Sequence, residues 1–253
     1  MKLIVTDLDN TLLRSDKSIS NYTIEVFEKC RQQGYIIAFA TARAENAMVR
    51  FIEAIKPNII ISNGGATINV NGEIIYRNRL KGEDVAIIVE MCRQFTGNKG
   101  LITVECDEGY YCNFVPNDPD RRAAFTYSDF ENFKTPAYKI TSELENDEWG
   151  EEILGVCPEC TLINFTGEKW RRFAAKNSDK ETALNTLVNY IDIEPSDIIA
   201  FGDDTNDLGM LKIAGTAIAV SNAIDEIKAV ADYITDSNDQ DGVARFLDKM
   251  ILK

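Results

Sequence analysis

Residues 2–13 read KLIVTDLDNTLL, and within them Asp7 and Asp9 stand one residue apart at the end of the apolar run Leu3-Ile4-Val5. A short β-branched run closed by polar turn formers predicts a buried strand that runs out into a loop. Two carboxylates on such a loop can turn toward one small site, and their mutual repulsion then calls for a cation or a shared proton. A second acidic cluster, Gly202-Asp203-Asp204-Thr205-Asn206-Asp207, follows another apolar run near residue 201. Thr41 follows the run at 35–40, and Lys180 opens a helical pattern that feeds the second cluster. Asp7, Asp203 and the backbone carbonyl of Asp9 offer the hard oxygen donors that Mg²⁺ prefers. A lysine beside them can neutralise a transferring phosphoryl group. This set matches metal-assisted phosphoryl transfer.

Composition narrows the alternatives. The chain has 253 residues, a formal charge of −14 and no histidine. The missing histidine removes serine–histidine–aspartate and cysteine–histidine catalysis, and it makes zinc a poor fit. The acidic balance argues against binding a nucleic-acid backbone, whose partner surface is basic. It leaves room for a small phosphorylated molecule, because a metal and a few basic residues can reverse the sign inside one site. No run reaches the ~18 apolar residues of a membrane span, and no leader precedes the first strand, so a soluble cytoplasmic protein is expected. The six cysteines are read as small buried hydrophobes, Cys157-Pro-Glu-Cys160 included.

The elements that must position these groups alternate between strand and helix. Strands are expected at 2–6, 35–40 and 59–61, with helices at about 21–33 and 44–55. A hairpin is expected over 67–76, where Asn71-Gly72 suits a type I′ turn. The stretch from 81 to 175 changes character: a helix at 83–95, strands at 101–106 and 110–114, a short helix at 122–127, a strand at 138–140, a helix at 147–154 and a hairpin at 161–173 turning at Gly167-Glu168. Strand–helix alternation then resumes with a helix at 180–191, a strand at 197–201, a short helix to 213, a strand at 216–220, a helix at 224–231, a brief strand at 233–234 and a closing helix at 242–251. The expected fold is α/β, a Rossmann-like three-layer core formed by 1–80 and 176–253, with an inserted α+β module at 81–175.

Four motifs in order carry a resemblance. Asp7-Leu8-Asp9-Asn10-Thr11, Thr41 within Ala40-Thr41-Ala42-Arg43, Lys180 at a helix start and Gly202 to Asp207 resemble the haloacid-dehalogenase-like (HAD) phosphohydrolases, of the Cof-type subfamily with a type IIB cap. Asn63-Gly64-Gly65 and the late Asp241-Gly242-Val243-Ala244 are similar to that subfamily too. Asn10, Ala42 and Glu181 stand where it usually carries glycine, and Lys176 rivals Lys180 for the third motif.

The resemblance implies a magnesium-dependent phosphatase. Asp7 is then the nucleophile that forms an aspartyl-phosphate, a recognised role for a carboxylate. Asp9 is the general acid and base, whose ordinary pKa near 3.9 the site would have to raise, unless its proton is left available in the substrate complex. Thr41, Leu8 and Ala42 hold phosphoryl oxygens, the two latter through backbone amides, and Lys180 adds positive charge. Arg43, Asn206 and Asn222 are further candidates for binding substrate. Asp7, Asp9, Asp203 and Asp207 form the metal set. Arg171 or Arg172 is a candidate reader of a substrate anion. The expected substrate is a small phosphate monoester, sugar phosphates first and phosphorylated cofactors or metabolites next. A phosphomutase or a non-catalytic phosphosugar-binding protein is the alternative. A monomer or homodimer with no nucleic-acid or membrane partner is expected.

Overall fold

The computed structural model describes residues 2–117, 122, 124–164 and 169–250. The chain divides into two compact units, Met1–Arg77 with Asp179–Lys253, and Asn78–Ser178. These boundaries lie three residues outside the expected insertion at each end. Local hydrogen bonds explain the shift, since Leu80 bridges Ala137, and the Asn78 amide donates to the Lys176 carbonyl at 2.7 Å.

The first unit is built on an eight-stranded sheet of order β14-β13-β12-β1-β2-β3-β4-β5. Its strands are β1 (Lys2–Thr6), β2 (Tyr35–Ala40), β3 (Ile59–Ser62), β4 (Thr67–Val70), β5 (Glu73–Arg77), β12 (Ile198–Gly202), β13 (Thr216–Val220) and β14 (Tyr233–Thr235). The six from β14 to β3 run parallel, and the β4–β5 hairpin closes one edge antiparallel. Leu3, Ile4 and Val5 are fully buried, as are Ile37, Phe39 and Phe201, so the central strands are apolar on both faces. Asn71 and Gly72 both take positive φ, 51° and 93°, as a type I′ turn requires. The helix expected at 44–55 begins as a one-turn 3-10 segment, Glu45–Met48, and continues as Val49–Ile55. Lys56, in the left-handed region, ends it just before Pro57.

The second unit carries a six-stranded sheet of order β10-β11-β9-β6-β7-β8. Its strands are β6 (Ile102–Cys106), β7 (Gly109–Cys112), β8 (Phe125–Tyr127), β9 (Ala137–Glu143), β10 (Cys160–Asn164) and β11 (Trp170–Ala175). The helices Gly82–Phe95 and Asp147–Val156 bury Val85, Ile88, Val89 and Ile153 in a core separate from that of the first unit. The expected helix at 122–127 is corrected at its end, where Phe125–Tyr127 pairs in parallel with β7 as an edge strand. Aromatic and β-branched side chains there favour the extended state. The expected turn at Gly167-Glu168, Phe165 before it, and Ile251 at the end of the closing helix lie outside the described residues.

Candidate active site

β1 and β12 lie side by side with Thr6 opposite Phe201, so the residues that follow them emerge together. The Asp7 amide donates to the Phe201 carbonyl at 3.1 Å, which extends the ladder into the site. One carboxylate oxygen each from Asp7, Asp203 and Asp207 lies within 4.8 Å of the others, and all three residues are buried. Lys180, 3% exposed at the start of the helix Lys180–Ile191, donates to Asp7 Oδ1 at 2.5 Å and to Asp207 Oδ1 at 2.6 Å. Lys176 instead approaches Glu159 at 3.9 Å, so the lysine that meets Asp7 is Lys180. Glu181 turns toward Gly209, where a Cβ would meet its carboxylate at 2.3 Å.

Burial sets the electrostatics. It pushes the Asp7 carboxyl up to about 8, with Asp207 and Asp203 adding to the rise and Lys180 opposing it. Burial likewise pushes Asp203 up to about 6, against a 2.6 Å hydrogen bond from Thr11. Burial would lower Lys180, yet Asp207 and Asp7 together hold it above its usual range. Two of the three clustered carboxylates, Asp7 and Asp207, meet the Lys180 ammonium, and Asp203 completes an all-oxygen donor set beside them. Such a set fits a divalent cation.

Asp207 is already engaged at both oxygens. Its Oδ2 accepts from the Asp203 and Asp204 amides at 2.9 and 3.2 Å while Oδ1 takes Lys180. A Cβ at Gly202 would lie 2.5 Å from that of Asp207, so a glycine is required for the acidic loop to fold back this closely. Asp207 therefore positions Lys180 and the loop, leaving Asp7 and Asp203 as the less encumbered candidates for holding a cation.

Asp9 departs from expectation. Its carboxylate is forked by Arg43, Nε to Oδ2 at 2.7 Å and Nη2 to Oδ1 at 2.8 Å, and it also accepts from Lys17 at 2.8 Å. Burial raises it, but the Arg43 and Lys17 hydrogen bonds and charges outweigh burial and hold it at about 2. The site thus lowers Asp9 rather than raising it, and its side chain stands outside the carboxylate triad.

Thr41 is buried and its hydroxyl oxygen accepts from the Arg43 amide at 3.2 Å, turning the chain after β2. Leu8 sends its side chain into the core, and its carbonyl accepts from the Thr11 and Leu13 amides. Ala42 lies between Thr41 and Arg43 on the same turn, and Asn206 is exposed between Asp203 and Asp207. Asn222 is engaged between two loops. Its amide nitrogen donates to the Asn10 carbonyl and its oxygen accepts from the Asn238 amide, so it ties loops together. In the second unit, Arg171 pairs with Asp147. Arg172 lies on the opposite face of the sheet, the face that carries the Lys139–Glu105 ion pair. Sequence reasoning missed Lys17, which has no fixed spacing to Asp9, and Thr11, whose place in the first motif was the available signal.

A profile of haloacid dehalogenase-like hydrolases matches residues 4–247. The chain belongs to that family. It is 29% identical to a putative phosphatase of Buchnera aphidicola subsp. Acyrthosiphon pisum, over 100% of this chain and 97% of that one. It is 26% identical to the 5-amino-6-(5-phospho-D-ribitylamino)uracil phosphatase YitU of Bacillus subtilis, over 97% and 96%. A solved haloacid dehalogenase-like hydrolase from Bacteroides thetaiotaomicron superposes with a TM-score of 0.86 at 27% identity, covering 99% of both chains. A solved HAD subclass IIB sugar phosphatase gives 0.82 at 22% identity over the full length of both, a likeness of fold. The Cof-type resemblance and the α/β core read from the motifs hold. Among the described residues no helix is long and apolar enough to cross a membrane.

Proposed function

We propose that this phosphatase hydrolyses small phosphate monoesters through an aspartyl-phosphate on Asp7. The observation that carries the reading is the buried meeting of Asp7 with Asp203, Asp207 and Lys180 at the ends of β1 and β12. Asp7 and Asp203, with the Asp9 carbonyl, would hold Mg²⁺, which when bound offsets the charge of the carboxylates and of the incoming phosphoryl oxygens. Lys180 holds the Asp7 carboxylate in place and adds a fixed positive charge. Thr41 and the amides of Leu8 and Ala42 take phosphoryl oxygens, and Arg43 and Asn206 are further contacts to the substrate.

Asp9, kept charged by Arg43 and Lys17, is set to accept a proton from the water that cleaves the aspartyl-phosphate. To protonate a leaving alkoxide in the first half-reaction it must take up a proton and give up the Arg43 fork. Phosphorylated sugars and polyols suit the reading best, since the named relatives include phosphatases of a phosphoribityl compound and of sugar phosphates.

The test is phosphate release from a panel of phosphate esters with Mg²⁺, run on the wild type and on Asp7→Asn. Asp7→Asn should lose steady turnover by at least about 10³-fold; substantial remaining turnover refutes the nucleophile. An isomerised sugar phosphate in place of free phosphate would turn the reading to a mutase.

A further inference from the structure

The late segment around Asp241-Gly242 takes no part in the chemistry above, yet the loop that follows the nucleophile is fastened to it. Asn222, after β13, donates through Nδ2 to the Asn10 carbonyl at 2.8 Å and accepts through Oδ1 from the Asn238 amide at 2.9 Å. Asn238 is 4% exposed, and its own Nδ2 donates to the Leu13 carbonyl at 3.0 Å. The Asn222 amide is satisfied in one orientation only, since its nitrogen must face a carbonyl and its oxygen an N–H. Arg14 then forks onto Asp241 at 3.1 and 2.6 Å, and Ser15 pairs twice with Asp239 at 2.8 Å.

The turn these contacts hold is tight. Asn10 has φ of 60°, and the Leu8 carbonyl accepts from both Thr11 and Leu13. Asp9 lies between the anchored Asn10 carbonyl and the Leu8 hinge. The receiving loop is equally specified, with Asp241 at φ 57° and Gly242 so close to the Asp236 carbonyl that a Cβ would sit 1.9 Å from it. A loop tied at the Asn10 and Leu13 carbonyls has little freedom to turn the Asn10 peptide.

We infer that Asn222 and Asn238 are positioning residues for Asp9, and that the loop at 236–242 is a latch that fixes the acid–base carboxylate relative to Asp7. The inference rests on the aspartyl-phosphate reading. Asn222, read from the sequence as a candidate substrate contact, has both ends of its amide engaged by backbone groups. A misplacement of about 1 Å in a reacting group can cost roughly 10²-fold in rate.

p-Nitrophenyl phosphate isolates the effect, because its leaving group departs as a stable anion and needs no proton. With this ester Asp9 serves only the attack of water on the phosphorylated Asp7. In Asn222→Ala and Asn238→Ala, first-turnover release of p-nitrophenol should stay within about threefold of wild type, while steady turnover falls about tenfold or more. KM should fall with kcat as the intermediate accumulates. Loss of packing alone would slow both phases together or shift only the thermal midpoint, and either result overturns the inference. If both variants fail to fold, Arg14→Met opens the same latch from its half-exposed end, and it must give the same separation of phases. A wild type without Mg²⁺-dependent turnover would overturn the phosphatase reading itself, and the inference with it.

Discussion

Asp7 and Asp207 share one ammonium, that of Lys180, and among the described residues no other cation is paired with either. Lys180→Met would leave two buried carboxylates facing each other, and breaking a buried pair by removing one partner costs about 3–5 kcal/mol. The variant should therefore unfold at much lower denaturant and lose turnover together; wild-type stability would contradict the buried geometry. The metal-free site also sets a dependence on pH. Asp7 and Asp203 bind protons more tightly folded, at about 8 and about 6, than at their ordinary 3.8. From pH 4 to 8 the folded state holds the extra protons, so the stability of the metal-free protein falls as pH rises. A divalent cation binds the charged form, so saturating Mg²⁺ should raise the melting temperature more at pH 8 than at pH 6, by on the order of 5 °C at the higher pH. A larger rise at pH 6 would count against the triad as the metal site. The four acids and Lys180 were legible in the sequence because chemistry demands those groups at strand ends. The partners of Asp9 and the true contacts of Asn222 were not, because no spacing rule says where a side chain on one loop reaches on another.

The site depends on elements that meet closely. Asp179 caps the helix Lys180–Ile191 through the Thr182 amide at 2.7 Å, and its backbone is where Gly65 comes to rest. Gly65 has φ of 109°, and a Cβ there would stand 2.1 Å from the Asp179 carbonyl oxygen. Gly65→Ala should thus destabilise the protein by at least about 2 kcal/mol and displace Lys180 from Asp7, lowering kcat as well as the unfolding midpoint. An alanine variant with both unchanged would show that the two segments do not press together. Asn63-Gly64-Gly65 was readable as a turn, whereas its approach to the third motif was not, since that depends on how β3 and a helix 120 residues later are brought together. Apolar runs between turn formers gave the strands of both sheets. They failed at 125–127, where a three-residue edge strand has too little pattern to separate it from a turn of helix.

At the scale of the whole molecule the charge of −14 opposes the approach of any phosphate dianion. Screening weakens that repulsion, so kcat/KM for an anionic ester should rise with moderate salt at fixed saturating Mg²⁺, by about twofold between 0.01 and 0.15 M. A fall would point to a steering field of positive sign that the composition does not suggest. The acidic balance and the insertion were legible from the sequence, because each unit carries its own apolar core. The limits of the insertion were off by three residues, because hydrogen bonds rather than composition define them.

β1 lies in the middle of its sheet, between β2 and β12, with about 190 residues of chain separating it from the latter. On the ribosome, at about 5–20 residues per second, the first strand waits roughly ten to forty seconds for that neighbour to be made. Throughout that interval one of its edges has no mate, and Asp7 at its end has neither Asp203 nor Asp207 beside it. The enzyme is therefore inert as a nascent chain until late in its own translation, and a strand with three fully buried apolar residues is meanwhile open to chaperones or to mispairing.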